Sequence, residues 1–249
     1  MARCTIDGGP GTRRRTAAGG RLMAHADSTC WTIIQAAAAG SPGDRAAFAL
    51  RYDPIVRAYL THRWRTSSCQ DDIEDTVQEV FVECFKQNGV LDRAEPGRPG
   101  GFRALLYGVV QNIALRQEMR MARQREQQPP SGMNLEEIQG DEESLSRAFD
   151  QAWAIALVRE AAEVHERRAR DAGAAALRRA ELLRLRFQEN LPIRDIAHRW
   201  QTDPAGLHHE YARARKEFKE ALREVVAFHH PGSPVVLEQE CAKLLALFG

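Results

Sequence analysis

No run of apolar residues in this chain approaches the roughly 20 needed to span a bilayer, and its amino terminus lacks a hydrophobic signal core. A cytoplasmic location is therefore expected. The five cysteines, Cys4, Cys30, Cys69, Cys84 and Cys241, are odd in number, scattered and nowhere spaced as Cys-x-x-Cys. That argues for a reducing compartment and against both a disulfide framework and a structural zinc site. Aromatic residues make up only 7% of the chain, and strand-like alternation of Val, Ile and Thr is missing. There is no glycine-rich phosphate loop, nucleophile elbow or metal constellation, and His229-His230 has no third ligand at a fixed spacing. An enzyme is thus the least supported class, and no cofactor or metal is expected. Net charge is also nearly absent, at +1, so any electrostatic argument must rest on local clusters. What the 249 residues do offer is alanine, arginine and a charged fraction of 28%, which suits helices with small cores. The expected fold is all-α, with length for one large or two small domains.

The first strong helical signal is DDIEDTVQEVFVECFK, residues 71–86. Ile73, Val77, Val80, Phe81 and Cys84 fall on one stripe at helical spacing, whereas Asp72, Asp75, Gln78, Glu79 and Glu83 fall on the other side. Asp71 and Asp72 stand where a carboxylate can cap the first turn. The polar side carries almost no balancing base, so it is either a solvated acidic face or the dock for a basic partner.

Before it, residues 1–26 combine Gly, Ala, Thr and the cluster Arg13 to Arg15 and read as a disordered basic segment, in which Met23 offers a second candidate start. Trp31, Ile33 and Ile34 open an alanine-rich helix that the Gly40-Ser41-Pro42-Gly43 break stops. Asp44 is the expected cap of the next helix, whose stripe is Phe48, Tyr52, Ile55, Val56, Tyr59 and Leu60, with Pro54 implying a kink or a boundary. Beyond 86, a loop rich in Gly and Pro leads to FRALLYGVVQNIALRQEMRMARQR. Phe102, Leu105, Leu106, Val109, Ile113 and Met119 or Met121 are its expected buried stripe. Arg103, Tyr107, Gln111, Asn112, Arg116, Arg120, Arg123 and Arg125 are left outward. Such a stripe is either a solvated basic face or a nucleic-acid surface, where arginines meet phosphates, amides read base edges and a ring stacks on an unpaired base.

Residues 127–143, with Pro129-Pro130 and several acids, read as a linker between a domain at 27–126 and another at 144–227. The second domain opens with Leu145, Phe149, Trp153 and Val164 as a helical core stripe, then a helix over 181–187 closed by Asn190. Ile193, Ile196, Ala197 and Trp200 are the buried face of a short helix, and Thr202 or Asp203 caps a long one beginning at Pro204. This is helix-turn-helix spacing, shared with plain helical hairpins. Residues 228–249 form an added amphipathic helix. Its Val235, Val236, Leu237, Cys241, Leu244, Leu245 and Phe248 either pack back on the second domain or dock on a regulator.

Together, DIEDTVQEVFVECF followed by FRALLYGVVQNIAL, and LLRLRFQENLPIRDIAHRWQTDPAGLHHEYARARKEFKEAL, resemble regions two and four of sigma-70 family RNA polymerase sigma factors of the extracytoplasmic-function type. The resemblance spans roughly residues 31–226 in the family's order and spacing. It implies a transcription-initiation factor whose partners are core RNA polymerase, promoter DNA and an anti-sigma factor or other regulator. The acidic helix would dock on a cationic coiled coil of the polymerase through Asp72, Asp75, Gln78, Glu79 and Glu83. Residues 88–103 would form a base-capturing loop, and Arg98, Phe102, Arg103, Tyr107, Asn112, Arg116 and Arg120 would meet the minus-ten element. The helix from Pro204 would enter the major groove of the minus-thirty-five element, where Thr202 and Pro204 also make contact, with His208, His209 and Glu210 near base edges and Arg213, Arg215 and Lys216 near phosphates.

The chain departs from the family's pattern at Leu105, where tryptophan is usual, and at His208-His209-Glu210, where lysine and arginine are common. Glu210 repels phosphate and is suited only to accept from a cytosine amino group. The competing reading is a helix-turn-helix regulator whose first domain is a protein-interaction module.

Overall fold

Every regular element among the described residues is a helix, so the chain is all-α; the computed structural model describes 30–95, 100–126, 142–230 and 233–247. The basic segment expected over 1–26, the residues around Arg98, and Phe248 lie outside that range. Helix α1 (Cys30–Ala38) ends at Gly40, whose φ of 94° reverses the chain into α2 (Pro42–Arg63). Ser41 rather than Asp44 occupies the cap of α2, accepting the Asp44 N–H at 3.5 Å and donating its hydroxyl to the Asp44 carboxylate. The cap falls there because Pro42 suits the first turn, which places Asp44 inside it. Pro54 does not break α2; it sits on the exposed face, where the Leu50 carbonyl that loses its donor can turn to water.

A 3-10 turn, Ser68–Asp72, leads into α3 (Ile73–Phe85). Asp72 holds the cap position of α3 without a side-chain capping bond, because its carboxylate accepts instead from Gln117 Nε2 at 3.1 Å on α4 (Gly101–Glu126). Phe48, Tyr52, Ile55, Val56, Tyr59 and Leu60 are buried together with Val77, Val80, Cys84, Leu106 and Ile113, as their spacing predicts. Phe48 meets Phe102 at 5.6 Å between ring centroids and Phe85 at 5.4 Å, in the edge-to-face arrangement that aromatic quadrupoles favour. Met121, not Met119, packs against this core; Met119 is exposed.

One buried polar knot ties α2 to α4. Arg63 donates to both Glu118 oxygens, at 2.7 and 3.0 Å, while Trp64 Nε1 donates to the same carboxylate at 2.7 Å. Burial opposes the Arg63 charge, and its hydrogen bonds to Glu118, with the Glu118 charge and Tyr59 beside it, more than compensate, so the guanidinium titrates above its ordinary range.

Residues 127–141 of the expected linker lie outside the described part, and Glu142 and Glu143 already form the first turn of α5 (Glu142–Ala172). The core continues across that break. Leu145, Phe149 and Trp153 of α5 pack into the α1–α4 core, and Trp153 stacks on Tyr52 at 5.8 Å. Gly173, at φ 97°, separates α5 from α6 (Ala174–Phe187), which starts seven residues before the helix expected at 181. Helices α6, α7 (Ile193–Arg199) and α8 (Pro204–His229) enclose a small second core of Leu182, Leu185, Ile193, Ile196, Ala197 and Leu207. Asn190 takes the left-handed turn before α7 as expected, at φ 52°. The far end of α8, through Ala221, Leu222, Val225 and Val226, returns to the first core.

Helix α9 (Pro234–Ala246) folds back on α8 through Leu237, Cys241 and Leu244, and Lys219 pairs with Glu238. Val235, Val236 and Leu245, which the amphipathic pattern predicts to pack, are exposed.

Candidate nucleic-acid interface

Antiparallel contact between α3 and α4 divides the acidic row into two sets. Asp72, Glu79 and Glu83 turn toward α4: Asp72 accepts from Gln117, Glu79 lies 2.5 Å from Arg120, and Glu83 lies 4.0 Å from Arg116. Asp75 and Gln78 stay outward, and with Val82, which is 67% exposed, they make a surface at i, i+3 and i+7. Glu74, the residue before Asp75, pairs with Arg57 of α2. The net charge offered outward is consequently smaller than a count of carboxylates on α3 suggests.

Helix α4 presents the residues expected to meet the minus-ten element in three different settings. Phe102 is 2% exposed, with its ring 4.9 Å from Tyr52 and 6.2 Å from Trp31, so its assignment to DNA contact is corrected: its apolar stripe position wins. Arg103 pairs with Asp150 of α5, and Tyr107 is half-buried with its ring 5.2 Å from Phe149 and 5.7 Å from Tyr59. Burial pushes the Tyr107 phenol up, and the nearby Glu142 charge adds to that. Asn112, Arg116 and Arg120 are exposed, the two arginines reaching across to α3. Arg98 lies outside the described residues.

The loop after α3 and the first turns of α4 border an open pocket of about 300 Å³ lined by Val90, Arg93, Ala104, Leu105, Gly108, Val109 and Asn112. The sequence points to this region only as a loop over 88–103; Arg93 and Gly108 carry no signal of their own. Two local features shape its wall. Asn88 adopts φ 56°, and at Gly89 a Cβ would stand 2.4 Å from the Lys86 carbonyl oxygen, so only glycine fits there. Arg93 then donates to the Gly89 carbonyl at 3.1 Å, which fixes its guanidinium at the rim. Leu105 supplies part of the pocket's apolar lining.

Helices α7 and α8 meet at a sharp turn in which Gln201 takes φ 50°. Of the two expected caps, Asp203 is the one used, accepting the Gly206 N–H at 2.8 Å. Thr202, Pro204, His208, His209, Arg213, Arg215 and Lys216 are all exposed on α8 or just before it. Glu210 is held back. It accepts from Arg179 at 3.4 Å and lies 3.5 Å from the Arg213 guanidinium, so its charge is partly neutralised inside the protein. Arg179 also donates to Glu217 at 2.9 and 3.0 Å and thereby anchors α6 to α8; nothing in the local sequence distinguishes it from the other arginines of α6.

The α5–α8 seam carries two histidine–carboxylate pairs in reciprocal order. His165 of α5 lies 3.7 Å from Glu217 of α8, and Glu160 of α5 lies 3.8 Å from His229 of α8. Burial pushes both histidines down, against the raising effect of their carboxylate neighbours. Around His229 stand Arg51, which donates to Glu160 at 2.7 Å, the Tyr52 hydroxyl at 3.5 Å from Nδ1, and the Cys30 thiol, which donates to the His229 carbonyl. No helix among the described residues is long and apolar enough to cross a membrane. No protein-family model matches the chain, and no curated protein matches its sequence.

Proposed function

We propose that this chain is a promoter-recognition subunit of bacterial RNA polymerase, a sigma factor of the extracytoplasmic-function type. The observation that supports this reading best is the open pocket of about 300 Å³ where the loop after α3 meets the basic helix α4, in a chain whose α3 also leaves Asp75 and Gln78 exposed. In this reading, Asp75 and Gln78 meet a cationic helix of core polymerase. The cavity takes an unpaired base, with Asn112 and Arg93 supplying polar contacts and Leu105 and Val109 the apolar wall. Opening a duplex costs a few kcal/mol per base extruded. Contacts that only an extruded base can make offset that cost, so melting is favoured where the sequence fits. No bond chemistry is needed. The exposed cations of α8 hold the upstream duplex through its phosphates, while His208 and His209 face base edges.

A second reading is favoured by one observation: α5 covers Arg103 and Tyr107. It holds that only α8 binds DNA and that the first half of the chain is a protein-interaction module. In-vitro transcription separates the two. Core polymerase supplemented with the protein should start at new sites on a promoter library, and the Asp75→Lys/Gln78→Lys variant, altered only at exposed positions, should lose both those starts and co-purification with core. Unchanged transcription with and without the protein refutes the proposal.

A further inference from the structure

We infer that α5 acts as a lid on α4: in the free protein its carboxylates and a phenyl ring occupy the face on which promoter DNA would lie, so DNA capture requires α5 to move. The inference rests on the DNA-binding reading above and adds a regulation of that site. Three positions of α4 spaced by four residues, Arg103, Tyr107 and Gln111, form one helical stripe, and α5 engages all three. Asp150 pairs with Arg103, Phe149 packs on the ring of Tyr107 at 5.2 Å, and Glu142 accepts from Gln111 Nε2 at 2.8 Å. These are the groups by which a protein grips single-stranded nucleic acid: a guanidinium for phosphate, a ring for stacking and an amide for a base edge. Each is matched on α5 by its chemical equivalent, two anionic carboxylates and an aromatic face. Asn112 and the cavity beside it remain open, so the cover falls on one stripe and spares the other.

The arrangement is also graded along α5. Glu142 and Asp150 are partly solvated, whereas Phe149 and Trp153 are anchored in the core. Neutralising the two acids therefore loosens the lid without removing its anchor. The test uses the full chain and a fluorescein-labelled single-stranded oligonucleotide of mixed sequence at fixed salt. Three proteins are compared: the natural chain, Glu142→Gln/Asp150→Asn, and Glu163→Gln/Glu166→Gln, which removes the same charge from α5 at exposed positions away from α4. Weakening two partly exposed polar pairs should tighten binding about fivefold beyond the control variant. Backbone hydrogen exchange over 142–157 should rise in the first variant only. Equal affinities for the two variants overturn the lid and leave the DNA reading standing. Absence of binding by all three proteins, with exchange raised in the first variant, overturns the DNA reading and the lid with it.

Discussion

Removing the Glu118 carboxylate should damage this protein more than any other single change at a charged position of α4. Its side chain is 8% exposed and that of Arg63 is 6% exposed. Glu118→Ala leaves the Arg63 guanidinium buried with the Tyr59 hydroxyl, 3.1 Å away, as a remaining partner, and leaves the Trp64 indole N–H without its acceptor. Breaking a buried ion pair from one side costs about 3–5 kcal/mol, and an orphaned buried donor about 1–3 kcal/mol. The two overlap, because both groups lose one carboxylate, so about 4 kcal/mol is the expected total. For a chain of this size that corresponds to a fall of roughly 8–16 °C in Tm. Urea unfolding followed by tryptophan fluorescence and by helical circular dichroism measures it. Glu166→Ala, which removes an exposed i, i+4 pair with Arg170, serves as the control and should cost less than about 1 kcal/mol. The double variant Arg63→Met/Glu118→Leu should recover the ion-pair part of the loss, because two apolar chains leave no orphaned charge, while the Trp64 N–H stays without its acceptor. If Glu118→Ala costs no more than the control, the knot between α2 and α4 does not hold the first core together.

Acidification should weaken the α5–α8 seam. His229 and His165 titrate below their ordinary value of 6.5 when folded, so the unfolded chain binds their protons first. Their contribution is complete above about pH 6.5 and is lost as pH falls below it; Glu160, held down by His229 and Arg51 despite burial, adds a further loss below its ordinary 4.5. Urea midpoints between pH 7 and pH 5 should fall for the natural chain and fall less for His229→Gln; parallel profiles would refute the assignment. At α8, Arg213→Ala and Lys216→Ala should weaken duplex binding for all sequences alike and flatten the log-log salt dependence by about 0.9 for each phosphate that is no longer neutralised. An unchanged slope removes them from the interface.

Helices whose burial follows a local period were legible: the stripes of α2 and α3 and the Asn190 turn follow from residue type and spacing, and the cap of α8 was narrowed to Thr202 or Asp203, of which Asp203 is used. Pairings between distant segments were not. Glu118, in the run RQEMR, is indistinguishable by pattern from a solvated acid, and only the approach of Arg63 from α2 buries it. The pairing of Arg103 with Asp150 joins residues whose separation leaves no periodic trace, so a stripe that reads as outward is half covered. Phe102 could be placed correctly by its stripe, and the family resemblance drew it toward DNA instead. Capping at Ser41 shows a smaller version of the same limit, since Ser41 and Asp44 both satisfy the residue preference and only the position of Pro42 decides.

At 31 residues, α5 is a rod about 46 Å long. Its front third is wedged among the aromatic rings of α2 and α4, and its rear reaches Glu217 and Phe218 of α8 through His165. A continuous helix does not fold in the middle without a breaker, and none of its residues is Pro or Gly. It therefore behaves as a rigid beam seated at both ends, and a tilt of a tenth of a radian at one seat shifts the other by roughly 5 Å over that span. Prising open the front end must drag the rear against α8, so the exposed faces of α4 and α8 are mechanically geared to each other.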